Sequence, residues 1–358
     1  MADDWTPDWR LLAPHRPLSP GDAAYVDRPV GGGGAIAQWV ASGGSTVLIN
    51  GPTGVGKSTE LAHAAQELSA TRLPCLVQVD RKANMHRVSA DELMRLIADE
   101  ILTLARETWK LRVSDKLSTF ETSGVQTARL AILEVERLST PGRLALLLDG
   151  LEKLPPGAGT REIFDALAQL PESIDLIVII PWHAAFGGGT EAILRPGEHM
   201  HRIFALDTAL ATQQPTKATT SFFGALIARR LRSTDPLPPS FDAQMLGALL
   251  TSGGIPRVFL QLLADAGTYA RLKRSAAWPD VSDLVEAVTD QQQSFIRALL
   301  PGDTQAIQEA IGTDGRELDL ERRVRLLAQG ILLERIVNKK IQLEAHPLVA
   351  HAIKSRHA

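Results

Sequence analysis

Residues 51–58, Gly51-Pro52-Thr53-Gly54-Val55-Gly56-Lys57-Ser58, match G-x-x-x-x-G-K-[ST] at every position, and few architectures can carry such a loop. The apolar run Thr46-Val47-Leu48-Ile49-Asn50 ends just before it, and a helical pattern with Leu61, Ala65 and Leu68 on one face begins just after it. In a strand–loop–helix of this kind, glycines let the backbone wrap with its N–H groups turned inward. A β-phosphate then lies in a nest at a helix N-terminus. Lys57 would place a point charge at the β- and γ-phosphates, Ser58 would offer a hydroxyl to Mg²⁺, and Thr59 is expected near the α-phosphate. The loop predicts binding of a nucleoside triphosphate together with Mg²⁺.

A loop of this type needs a carboxylate for the metal at the end of a neighbouring buried strand. Leu144-Ala145-Leu146-Leu147-Leu148-Asp149 is a continuous apolar run, as expected for a strand covered on both faces, with the acid at its carboxyl end. Asp149 is the expected metal-side residue. Further short apolar runs, Pro74–Asp80, Ile174–Ile180 and Arg202–Leu206, alternate with helical patterns over 123–139 and 161–170. Ser89-Ala90-Asp91-Glu92 has the spacing of a capping box opening a helix towards Arg106. This alternation predicts an α/β fold, a parallel sheet with helices on both faces.

Beyond about residue 210 the strand signals stop. Helical patterns run through 217–232, 241–251, 256–274 and 281–299. Leu320, Val324, Leu327 and Ile331 then mark one helix face, and the short apolar segments Leu332–Val337 and Ile341–Ala345 flank Asn338-Lys339-Lys340, the outline of a winged helix. Before the loop, residues rich in Pro, Gly and Asp end in Gly31-Gly32-Gly33-Gly34, which predicts an irregular arm closed by a flexible joint. The expected division is an arm over 1–34, a nucleotide-binding domain over 35–210, a helical lid over 211–290 and a winged-helix-like domain over 291–358.

Composition narrows the setting. Basic and acidic residues nearly balance, for a net charge of −3, so nothing draws the whole chain to nucleic acid or an acidic membrane. The single cysteine, Cys75, excludes an internal disulfide and a cysteine-based zinc cluster, and fits a reducing compartment. The N-terminal residues lack a secretory pattern and no run reaches membrane-spanning length, so a cytoplasmic protein without membrane partners is expected.

With Asp149 followed by Gly150, Leu151 and Glu152, the sequence resembles the AAA+ and STAND classes of P-loop ATPases. In those classes another strand separates the Walker B strand from the phosphate-loop strand, and Pro74–Asp80 is taken as that strand. Many AAA+ proteins carry Glu directly after the Walker B Asp. Here Gly150 stands in its place, and Asp-Gly-Leu-Glu is closer to the STAND pattern, which makes Glu152 the implied water-orienting base and slow turnover the expectation. The resemblance extends to Tyr25-Val26-Asp27-Arg28, where Tyr25 and Arg28 would line the adenine pocket. It extends also to Ser252-Gly253-Gly254-Ile255-Pro256-Arg257, where Arg257 would report the γ-phosphate to the lid. His183, after the Ile174–Ile180 run, is the implied sensor at that sheet edge. His346 would read an ADP β-phosphate, although a surface histidine before Pro347 fits the same residues.

What the resemblance implies is an ATP/ADP switch whose output passes to a protein partner or to self-association. The alternative is a DNA-associated AAA+ ATPase, like the origin-recognition or transposition regulators. It would hold duplex DNA through Arg322, Arg323 and Arg325 on the helix and Lys339-Lys340 at the wing. Residues 291–358 carry a net charge of only +2, which favours the protein-contact reading. A small-molecule kinase fits poorly, because Asp149 comes 92 residues after Lys57. Arg161, Arg195 and Arg202 are equal candidates for an arginine supplied to a neighbouring subunit. The pair His199 and His201 is read as solvated rather than metal-binding.

Overall fold

The computed structural model describes residues 7–13, 18–19, 21–114, 122–139, 142–186, 199–208, 215–232, 237–337 and 340–355. In chain order the elements are α1 (Gly33–Ala41), β1 (Thr46–Asn50), α2 (Lys57–Leu68), β2 (Leu73–Gln78), α3 (Val79–Lys82), α4 (Ala90–Glu107), α5 (Gly124–Leu138) and β3 (Leu144–Asp149). There follow α6 (Ala158–Ala168), β4 (Asp175–Ile179), α7 (Trp182–Phe186), β5 (His199–Arg202), α8 (Lys217–Arg230), α9 (Asp242–Thr251), α10 (Pro256–Arg274) and α11 (Val281–Arg297). The chain closes with α12 (Asp303–Ala310), α13 (Leu320–Ala328), the hairpin β6 (Leu332–Val337) and β7 (Lys340–Ala345), and α14 (Pro347–Ser355). Among the described residues no helix is long and apolar enough to cross a membrane.

β1 to β5 form one parallel sheet in the order β2-β3-β4-β1-β5. Every residue of β1, β3 and β4 is buried, because helices cover both faces and an all-apolar strand can satisfy both. One face buries Leu146, Leu148, Leu176 and Val178 against α4, α5 and α6, and the other buries Val47, Ile49, Leu147 and Ile177 against α1 and α2. The order corrects one expectation. The strand between the phosphate-loop strand and the Asp149 strand is β4, and β2 lies outside β3 at the sheet edge. Pro74 held the clue, since a residue without an N–H is tolerated on an edge strand and not in the middle of a sheet.

The fifth strand is also displaced from its expected run. β5 pairs with β1 from His199 opposite Val47 to Arg202 opposite Asn50. It ends where β1 turns into the loop at Gly51, so the apolar Ile203 to Leu206 leaves the sheet, with the Ile203 N–H bonded to the Asn50 carbonyl at 2.8 Å. At α4 the Ser89 side chain accepts from the Glu92 N–H at 3.1 Å, which is one half of the expected capping box.

The glycine run before the loop is not a joint. Gly32 caps α1, and Gly33 is buried where α1 crosses α2. A Cβ on Gly33 would strike the Glu60 carbonyl and lie 2.8 Å from the Ala64 nitrogen. The segment before it is anchored as well. Trp9 is buried between Phe241 and Trp278, with ring centroids at 5.7 and 5.5 Å, and its indole N–H donates to the Ala277 carbonyl at 3.0 Å. It therefore belongs to the core of α8 to α11, with Phe222, Phe223 and Phe259. A further core forms around Ile307, Leu326, Leu343 and Val349 from α12, α13, the hairpin and α14, and Trp182 of α7 inserts into it from the sheet side.

Candidate functional site

The loop after β1 has the backbone its glycines allow. Gly54 (φ +84°) and Gly56 (φ +108°) are left-handed, and α2 starts at Lys57 with Gly56 as its cap. Arg28 secures the loop from behind. Its buried guanidinium donates to the Val55 carbonyl at 2.9 Å and also to the Phe204 carbonyl. Arg28 thus holds the loop in shape, and it also lines the cleft beside Tyr25, where its motif led one to expect it. Lys57 is buried, and its Nζ donates to the Gly51 and Pro52 carbonyls at 2.8 and 3.1 Å. Burial pushes its pKa down to about 8, opposed by the charges of Glu152 and Asp149.

On the sheet side, Ser58 Oγ donates to Asp149 Oδ1 at 2.8 Å, which brings together the two residues expected to share a metal. Burial first, and then the charge of Glu152, raises the Asp149 pKa to about 6. Two acids held together against water favour a cation between or beside them. Gly150 has a physical reason for being glycine. Its φ is +94°, and a Cβ there would lie 2.8 Å from the Cβ of Asp80. The acid that follows the Walker B Asp directly in many AAA+ proteins has no room. Glu152, in the short 3-10 turn Leu151–Lys153, lines the pocket instead, and its Oε2 is buried without a hydrogen-bond partner.

The loop, Asp149 and Glu152 open into one cleft of about 400 Å³. Its far wall is apolar, made by Val26, Phe222, Leu226 and Leu260 from the N-terminal segment and the helices after the sheet. Tyr25 sits there too, its hydroxyl donating to Glu60 Oε2 at 3.0 Å and its ring stacked on His63 at 4.1 Å. The Thr59 hydroxyl accepts from the Leu18 N–H at 3.4 Å. Arg257 reaches the cleft from the first turn of α10, where its backbone N–H donates to the Gly54 carbonyl at 3.2 Å. A Cβ on Gly54 would lie 2.7 Å from that of Arg257, so this glycine is needed for packing as well as for φ.

Sequence reasoning missed five charged residues of this cleft, one of them Lys153, whose Nζ pairs with Asp80. Asp80 and Arg81 follow β2 and stand beside Asp149, and their position at the carboxyl edge of the sheet was the available signal. Glu60 is buried in α2 and accepts from the Gly33 N–H at 2.7 Å. Arg230 lines the cleft beside Leu226, whereas in the sequence it belongs to the basic cluster Arg229-Arg230-Leu231-Arg232, which reads as a solvated helix end.

Other expected residues lie elsewhere. His183 is half-buried on α7 and does not line the cleft, and burial lowers its pKa. His346 is neither at the surface nor in the cleft. It is fully buried, stacked on Phe295 at 4.5 Å, with its Nε2 at 3.1 Å from the Ser252 carbonyl, and burial depresses its pKa to about 3. Of the arginines on α13, Arg325 bonds the buried Asp303 at 2.6 Å, Arg322 approaches the same carboxylate at 3.5 Å, and Arg323 stacks on Phe186 at 4.3 Å. Arg202 pairs with Glu334 at 3.1 Å and Arg161 is exposed on α6, whereas Arg195 and Lys339 lie outside the described residues. His199 stacks on Trp39 and His201 bonds the Gly31 carbonyl, and among the described residues there is no cluster of three or more metal-ligating side chains.

The donors present fit a magnesium nucleotide. A left-handed glycine loop lies over a buried lysine, a hydroxyl–carboxylate pair suits a hard cation, and the buried Glu152 oxygen is free to accept. No family model matches the chain, and no curated protein matches it. Among solved structures, the chain is similar to the Walker-type ATPase paby2304 of Pyrococcus abyssi at 15% identity and a TM-score of 0.60, over 96% of this chain and 99% of that one. The Aeropyrum pernix ORC1 protein, solved in complex with DNA, aligns at 15% identity and a TM-score of 0.49 over 98% of both chains. Thermotoga maritima RuvB, a Holliday junction branch migration motor, aligns at 12% identity and a TM-score of 0.40 over 90% of both. Of these three only the Pyrococcus likeness exceeds 0.5, and what it establishes is the fold: an α/β P-loop fold with a helical C-terminal region.

Proposed function

We propose that this chain is an ATPase of the AAA+ type, with a STAND-like acid arrangement, that works as a slow nucleotide switch. The observation that carries this reading is the meeting of Lys57, the Ser58–Asp149 pair, Glu152 and the lid residue Arg257 around one cleft. Lys57 and the loop N–H groups would take the phosphate charge, and Ser58 and Asp149 would hold Mg²⁺, which neutralises the β- and γ-phosphates when bound. Glu152 would orient the attacking water through its free Oε2 and accept its proton. Arg257 is tied by its backbone to Gly54, so the lid helix moves with the phosphate loop.

The C-terminal helix–hairpin unit is read as winged-helix-like and as a surface for a protein partner. Two of its three helix arginines, Arg322 and Arg325, are engaged within the chain by Asp303, which leaves few charges for the backbone of a duplex. The test is steady-state ATP hydrolysis by the full chain with and without duplex DNA, with Lys57→Ala as the blank. Slow turnover that ignores DNA, and a Glu152→Gln variant that binds ATP without hydrolysing it, are expected. Stimulation by duplex DNA of tenfold or more, about 1.4 kcal/mol off the barrier, would replace this reading with the DNA-associated one.

A further inference from the structure

A second cleft, of about 730 Å³, opens where the hairpin and α13 meet α7 and β5, and it is lined by charge. Two of its ion pairs close on themselves. Arg202 bonds both carboxylate oxygens of the buried Glu334, at 3.1 and 3.2 Å, and Arg316 pairs with Asp314 at 2.8 Å. Arg323 and Lys340 have no ion pair within 4 Å among the described residues, although Glu334 and Asp314 lie near enough to act on Arg323, and the described lining carries four basic side chains against two acidic ones. Arg323 is held rather than waving. Its guanidinium lies 4.3 Å from the Phe186 ring centroid, the same ring that Arg202 approaches at 5.5 Å, and its Nε is buried without an acceptor. A guanidinium fixed on an aromatic face and short of acceptors is preorganised for an anion.

We propose that this cleft binds a small phosphorylated molecule, whose phosphoryl oxygens accept from Arg323 and Lys340. A planar guanidinium fork matches phosphoryl oxygens in a bidentate way, and a dianionic phosphoryl group meets the two spare charges. The remaining volume takes the rest of the ligand, and Gln342 offers its amide at the wall. Occupancy would be felt at the phosphate loop. α13 carries Arg323 and ends at Ala328, whose carbonyl accepts from the Thr53 hydroxyl at 2.7 Å. β6 carries Glu334 beside Arg335, whose buried guanidinium donates to the carbonyls of Ala205, Leu206 and Gly253 at 2.9, 2.9 and 2.7 Å. An anion bridging α13 and the hairpin would therefore stiffen the contact between the C-terminal unit and the nucleotide site.

The test is calorimetric titration of the full-length Lys57→Ala chain, in which the phosphate loop is disabled, with inorganic pyrophosphate at fixed ionic strength. One site is expected. Arg323→Gln and, separately, the exposed Lys340→Gln should each weaken it about tenfold or more, while Arg271→Gln, far from the cleft in sequence and on α10, leaves it unchanged. Absence of binding, binding that survives both substitutions, or equal competition by sulfate would overturn the proposal. Displacement of pyrophosphate by a short duplex DNA would overturn it too, in favour of nucleic acid. Because the readout needs no hydrolysis, failure here leaves the proposed ATPase function standing.

Discussion

Gly31–Gly34 and the glycines of residues 51–56 look alike as composition and serve opposite ends. In the later stretch glycine is used for conformation, since Gly54 and Gly56 are left-handed, the backbone that the proposed phosphate nest needs. In the earlier one Gly33 is used for what it lacks, because α1 crosses α2 too closely for a side chain. Each stretch also has its buried carboxylate. Glu60 accepts from Gly33 and Tyr25 and ties the N-terminal segment to α2. Asp149 accepts from Ser58 and shares its surroundings with Glu152, a repulsion that a bound cation relieves. The same residue types thus build a fixed helix crossing in one place and the proposed ligand site in the other.

The largest effect expected is at the helix crossing. Gly33→Ala should cost roughly 3 kcal/mol, because the new methyl meets backbone that cannot move aside; a urea midpoint unchanged from wild type would show that the crossing is looser than described. Next is Asp149→Asn. The folded pKa of about 6 lies above the ordinary 3.8, so the native state holds this proton more tightly than the unfolded chain. Stability therefore falls as pH rises through that window, and the cost is complete above it. In the absence of metal the variant should be more stable than wild type by about 3 kcal/mol at pH 8, and by about 0.5 kcal/mol or less at pH 4. Equal melting temperatures at both pH values would mean that the carboxylate is not strained.

Smaller effects separate the two uses of glycine. Gly54→Ala places a Cβ at φ +84° and 2.7 Å from that of Arg257, and should cost about 1–2 kcal/mol together with a loss of nucleotide affinity in a fluorescent-nucleotide titration. Gly34→Ala is the contrast. It is exposed in the first turn of α1 with nothing within 4 Å of a new Cβ, and should stabilise by about 0.5 kcal/mol. Destabilisation by Gly34→Ala in a denaturant titration would mean that the run does behave as a joint.

The α/β fold was visible in the sequence because its signals are local. Continuous apolar runs marked β1, β3 and β4, and the helical periods after residue 210 fell within a few residues of α8 to α11. Of the spatial order only the edge place of β2 was legible, through Pro74; otherwise β2 and β4 are both apolar runs, and pairing alone sets their neighbours. At the site, the residues that meet in the cleft were found where a contiguous motif or a strand end pointed to them. Arg230, Glu60 and the true position of His346 went unseen, since each depends on partners far away in the chain.

By itself, then, the sequence determined the phosphate loop and the acid strand. Eight contiguous residues dictate the loop's backbone, and an apolar strand can only place Asp149 at its buried end. The tertiary structure alone decided that β4 lies between β1 and β3, that Gly33 belongs to a helix crossing, and that His346 holds Ser252 rather than a nucleotide. It also decided that the α13 arginines face Asp303 and Phe186. Those outcomes rest on contacts between segments far apart in the chain, 94 residues for Ser252 and His346 and 130 for Asn50 of β1 and Ile180 after β4, and no local pattern of residues specifies such a distance.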